Sequence, residues 1–133
     1  MGPVSRYAPP LAVMTAIFAL SATPDLSSGT SWDLELRKLA HVAIYGALWL
    51  AVARAADWRR PVLATVIAVL YAVTDEYHQT FVHGRHGSPV DVAIDAIGMS
   101  LAALSCVPAA RRRGRPGPPW PLRTAGSTAS RAR

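Results

Sequence analysis

Three groups of residues in this 133-residue chain have the types and spacing of a binding or reactive site. Lys38, His41 and Tyr45 stand at i, i+3 and i+7, so a helix puts them on one face. Tyr71, Asp75 and Gln79 repeat at i, i+4 and i+8, with Glu76 and His78 beside them. Asp91, Asp95 and Gly98 follow at i, i+4 and i+7, and the segment before them carries His83, Arg85 and Ser88. Carboxylates beside histidine and cations can do acid–base work when burial brings their proton affinities toward neutrality. His41, Asp75 and Glu76 are the candidates for that role. Lys38 with Arg85 could hold a lipid phosphate or pyrophosphate. Nothing resembles an activated nucleophile: Cys106 falls at the far end of its segment and Ser88 has no base beside it. A metal would draw on His41, Asp75, Glu76 or His78, yet no dense motif such as His-Glu-x-x-His is present, so no metal and no cofactor is expected.

These residues must be positioned by four apolar stretches. They are read as helices over about 7–24, 36–55, 61–79 and 89–108, an all-α bundle of four transmembrane helices. About 20 residues at 1.5 Å each are needed to cross some 30 Å of hydrocarbon, and each stretch approaches that length. A soluble bundle is the competing reading, but its helices would keep a charged face, and Val62 to Leu70 contains none. Pro61 and Pro89 suit the first turn of a helix, where the missing N–H costs nothing. The first stretch could instead be a signal peptide with Ala19-Leu20-Ser21 as a cleavage box. Pro9-Pro10 at the start of its apolar run and a weak basic flank favour a retained helix. Asp95 lies six residues past Pro89, roughly 9 Å along its helix. An ionisable group in the bilayer interior costs about 2–3 kcal/mol at the centre, so several at one level point to a shared pocket. Pairing among Lys38, Arg85, Asp75, Glu76, Asp91 and Asp95 would lower that cost.

Composition agrees. The chain is 51% apolar and 17% charged, against about a quarter charged in soluble domains. The net charge of +6 does not imply nucleic acid, because seven of fourteen cations lie at Arg111, Arg112, Arg113, Arg115, Arg123, Arg131 and Arg133. That basic segment, 109–133, reads as a disordered tail attracted to anionic lipid, following a transmembrane domain over 1–108. With the N-terminus inside, the inner segments hold Arg6, Arg54, Arg59, Arg60 and the seven tail arginines, 11 cations in all, against Arg37, Lys38 and Arg85 outside. The positive-inside rule then puts both termini in the cytoplasm and the polar residues at the outer end.

The same residues carry a resemblance. Lys38-Leu39-Ala40-His41 with Tyr45, then Asp75-Glu76-Tyr77-His78-Gln79 leading to Gly84-Arg85, and Ser88-Pro89-Val90-Asp91 with Gly98, resemble the pattern of the VanZ family of small bacterial membrane proteins. The likeness covers Lys38 to about Leu104. Asp95 stands where the family usually has Asn, and His83 where it has Pro before Gly-Arg. The resemblance implies a multi-pass protein of the bacterial cytoplasmic membrane and cell envelope, linked to resistance to the glycopeptide teicoplanin. It implies no settled reaction. The expected site is therefore Lys38, His41, Tyr45, Asp75, Glu76, Gln79, Arg85, Ser88, Asp91 and Asp95, serving a lipid-linked or cell-wall ligand. A ligand-processing enzyme and a non-catalytic accessory protein held by an ion-pair scaffold both stay open. A complete transporter is disfavoured because four short helices lack a broken-helix repeat; a small oligomeric channel stays open as a third alternative, and the oligomeric state is not legible.

Overall fold

The computed structural model describes residues 2–24 and 32–113, with the side chains of 33, 34 and 107–113 excepted. Four helices make it up: α1 (Pro3–Ser21), α2 (Asp33–Ala55), α3 (Pro61–Gln79) and α4 (Pro89–Arg113). The described residues are all-α, with no strand among them.

Local chemistry explains the boundaries. Prolines open α1, α3 and α4, where the first N–H groups have no partner to lose. α1 begins at Pro3, earlier than the apolar run suggests, and carries Pro9 and Pro10 inside it. A proline there removes the bond to the carbonyl four residues back. The carbonyl that Pro9 leaves without a helical donor, Ser5 O, accepts from the Arg54 guanidinium at 3.3 Å. Arg6 likewise reaches the Ala55 carbonyl and the Asp57 carboxylate, tying α1 to the end of α2. The α2–α3 turn closes with Trp58 N donating to Ala53 O at 2.8 Å, through Asp57 and Trp58 at φ 53° and 59°. α4 continues to Arg113, so residues 109–113, read from composition as the start of a disordered tail, are helical; 114–133 lie outside the described residues.

The interior is lined by Tyr45, Leu48, Trp49 and Val52 of α2, facing Met99 and Ala102 of α4, with Ile17 from α1. Ala64, Ala68 and Ala72 form a row of small residues on the inner face of α3. α2 and α4 make the most extensive contact. It depends on two glycines: a Cβ on Gly98 would run into the Val42 carbonyl and come within 2.9 Å of Val42 Cα, and one on Gly46 would lie 3.1 Å from Gly98 O.

The outside is apolar. Leu11 and Phe18 on α1, Val62, Val66 and Leu70 on α3, and Ile97, Leu101 and Leu104 on α4 are all exposed. Contiguous apolar surface on this scale is unusual for a water-soluble monomer and suits contact with lipid. By length and composition, Glu35–Ala55 in α2 and Pro89–Cys106 in α4 can cross a bilayer, with mean hydropathy 1.3 and 1.4. The other two helices are interrupted: α1 by Arg6 and its prolines, α3 by Asp75, Glu76, His78 and Gln79 in its last turns.

A polar site where four helices meet

The polar row on α3 is turned inward. Asp75, Glu76 and Gln79 are 3%, 5% and 5% exposed, and Asp95 on α4 is fully enclosed. Their hydrogen bonds interlock. Asp75 Oδ2 accepts from Ser21 Oγ at 2.8 Å, Tyr45 OH at 3.2 Å and Gln79 Nε2 at 3.1 Å, so α1, α2 and α3 converge on one carboxylate oxygen. Gln79 Nε2 also donates to Glu76 Oε1 at 3.0 Å, while Glu76 Oε2 accepts from the Ser88 backbone N–H at 2.9 Å. On the other side, His41 Nδ1 lies 2.9 Å from Asp95 Oδ1, joining α2 to α4. Two buried carboxylate oxygens, Asp75 Oδ1 and Asp95 Oδ2, have no hydrogen-bond partner.

Above this floor is a cavity of about 380 Å³. Of the residues expected from sequence, Lys38, His41, Tyr45, Asp75, Gln79, Arg85 and Asp91 line it. Glu76, Ser88 and Asp95 are not in its wall but lie against residues that are. Ser88 accepts a hydrogen bond from Val90 N at 3.1 Å, so its hydroxyl caps α4, and Asp91 at the third helical position completes a Ser-x-x-Asp arrangement. Glu76 takes the backbone N–H of that same Ser88, which fixes the loop on α3. The close fit is enforced at Gly87, where a Cβ would strike the Glu76 carbonyl.

Several contacts are not apparent from sequence. Ser21 closes α1 onto Asp75 across 54 residues of chain. Arg85 turns to α1: Nε donates to Thr23 O at 3.0 Å, Nη2 to Leu20 O at 2.8 Å, and Nη1 to Gln79 Oε1 at 3.4 Å. A guanidinium on the Leu20 carbonyl in the last turn of α1 and on the Thr23 carbonyl just past it ties the loop to that helix end. Arg37, Gly84 and His86 line the cavity too, beside an apolar wall of Ile17, Leu20 and Ile44. Tyr71, in register with Asp75, instead donates to Met14 O at 2.6 Å, and His78 packs on Phe18 in a tilted ring contact at 4.6 Å between centroids. Both act in packing α3 against α1. His83 is exposed in the loop.

A family model described as VanZ/LLP1 matches residues 5–110, spanning all four helices up to the last turn of α4 and every residue of the site. No curated protein and no solved structure matches the chain. With the matched region covering most of its length, this chain belongs to the VanZ family.

Proposed function

We propose that the cavity binds the phosphate or pyrophosphate headgroup of a lipid-linked envelope ligand at the outer surface of the cytoplasmic membrane. The observation that carries this reading is the chemistry of the wall. Arg37, Lys38 and Arg85 face the space together with only two carboxylates, Asp75 and Asp91, while Ile17, Leu20 and Ile44 make one side apolar. A cationic mouth beside an apolar wall matches an amphiphile whose headgroup is anionic. His41, Asp75 and Glu76 are the groups that could move a proton if the ligand is also processed. In this reading all four helices cross the bilayer and both termini are cytoplasmic, supported by the 11-to-3 asymmetry of Lys and Arg and by the apolar exterior. The family's link to teicoplanin resistance fits a protein that acts on, or shields, a lipid-borne cell-wall component.

A second reading has a specific observation behind it. Asp75 and Glu76 accept hydrogen bonds from three helices and a loop, so the same charges can be a scaffold.

The test is lipid retention. Wild-type protein extracted in mild detergent should keep a phosphate-bearing lipid, identified by mass spectrometry, and an Arg37→Ala/Lys38→Ala variant should keep much less. Equal retention by both proteins would overturn the binding reading. Reporter fusions after Asp57 and Gly87 test the orientation, with a cytoplasmic signal expected at the first and an external one at the second.

A further inference from the structure

His41, Glu76 and Asp95 come from three different helices, yet one ligand-type atom from each lies within 4.8 Å of the other two. We propose that these three side chains form a binding site for a divalent transition-metal ion, Zn²⁺ or Mn²⁺.

Four features of the site support this. First, the separations are within reach of those a metal imposes. Ligands about 2.1 Å from a tetrahedral ion are about 3.4 Å apart, so a gap of at most 4.8 Å closes as the His41 ring turns toward the fixed Glu76 carboxylate. Second, Asp95 is fully buried and its Oδ2 has no hydrogen-bond partner. A carboxylate that only anchored His41 would need a single oxygen, and that oxygen is Oδ1, 2.9 Å from Nδ1. The bare Oδ2 is an atom that a cation would satisfy. Third, the Glu76 carboxylate is held from behind. Gln79 and the Ser88 N–H donate to Glu76, the kind of outer support that orients metal ligands and leaves each oxygen a free lone pair. Fourth, three protein ligands are the number at which a zinc site keeps a position open for water or a ligand.

Donor type selects the ion. One imidazole nitrogen with two carboxylate oxygens suits Zn²⁺ or Mn²⁺. Calcium prefers six to eight oxygens, and copper(I) prefers sulfur, whereas Cys106 sits near the opposite end of α4. His41 also lines the 380 Å³ cavity, so the ion would border the space assigned to the headgroup. The metal site rests on side-chain geometry and stands whether or not a lipid binds there.

The experiment uses full-length protein in nanodiscs, stripped with EDTA and titrated with ZnCl₂ or MnCl₂ alone by calorimetry, with metal content measured after desalting. We expect one ion per chain, saturable at micromolar or lower concentration, with a rise in melting temperature. His41→Gln and Asp95→Asn should each weaken binding at least tenfold, and His83→Ala in the exposed loop should bind as wild type does. Should the variants fail to fold, X-ray absorption on the zinc-loaded wild type decides: a shell containing one imidazole nitrogen and carboxylate oxygens is expected. No saturable binding to the wild type, unchanged affinity in folded His41→Gln and Asp95→Asn, or a shell with sulfur or with oxygen alone would each overturn the site.

Discussion

Replacing Asp75 by Ala and by Asn separates the charge of its carboxylate from the hydrogen bonds it accepts. In Asp75→Ala the hydroxyls of Ser21 and Tyr45 lose their common acceptor in a buried place, while Gln79 Nε2 keeps its 3.0 Å bond to Glu76. A buried donor left unsatisfied costs about 1–3 kcal/mol. Both hydroxyls can turn in search of other acceptors, so the expected loss is about 2–4 kcal/mol. Asp75→Asn differs: its carbonyl can take over Oδ2's three donors, and its amide replaces Oδ1, so one buried group without a partner is exchanged for another. That variant should stay within about 1 kcal/mol of the wild type and lose whatever depends on the negative charge. Reversible unfolding in detergent, followed by tryptophan fluorescence, measures both, and a Ser21→Ala/Asp75→Ala double-mutant cycle isolates the shared bond. If Asn destabilises as much as Ala, the charge itself holds the bundle and the scaffold reading gains. If Ala is as stable as wild type, the convergence of three helices on this oxygen is refuted.

Gly98→Ala should destabilise by about 1–3 kcal/mol, because the new methyl meets Val42 backbone and forces α2 and α4 apart; Gly46→Ala should cost less, and equal melting temperatures for Gly98→Ala and wild type would contradict the close approach. Ser88→Ala removes the α4 cap and should cost about 1 kcal/mol, read by unfolding and, locally, by faster amide exchange at residues 89–92. Arg85→Ala frees the Leu20 and Thr23 carbonyls and should raise exchange at the end of α1 as well as in the loop; a change confined to the loop would contradict the bridge.

What was legible in the sequence follows the range of the interactions. Helical period put Lys38, His41 and Tyr45 on one face, and Asp75 with Gln79 on another, because three- and four-residue neighbours are fixed by the chain itself. Pro61 and the polar end at Gln79 bounded α3 for the same reason. The start of α1 was obscured because proline usually breaks helices, and Ser5 O finds its donor in Arg54, 49 residues away. Ser21 was not distinguishable from an ordinary helix-end serine until the fold brought it to Asp75. Ser88 and Asp91 carried a readable signal, the capping spacing before an apolar run. The expected pairing of Arg85 within the polar cluster became a contact with the α1 carbonyls and Gln79, since only the folded chain brings those acceptors within reach. The His41, Glu76 and Asp95 set has no linear motif, because its members lie on three helices.

The measurement that tests the binding claim most directly is a comparison of a polyprenyl phosphate with the matching polyprenyl alcohol, each titrated into nanodiscs of phosphatidylcholine containing the protein. The two probes share the chain that the apolar wall would meet and differ only in the phosphate that Arg37, Lys38 and Arg85 would hold. A ligand at a hundred times its Kd stabilises by about 2.7 kcal/mol, a shift that thermal unfolding resolves. The phosphate should stabilise the wild type, the alcohol should not, and Arg37→Ala/Lys38→Ala should greatly reduce the difference. Equal stabilisation by phosphate and alcohol, or a response undiminished by loss of both cations, would contradict a headgroup site in this cavity.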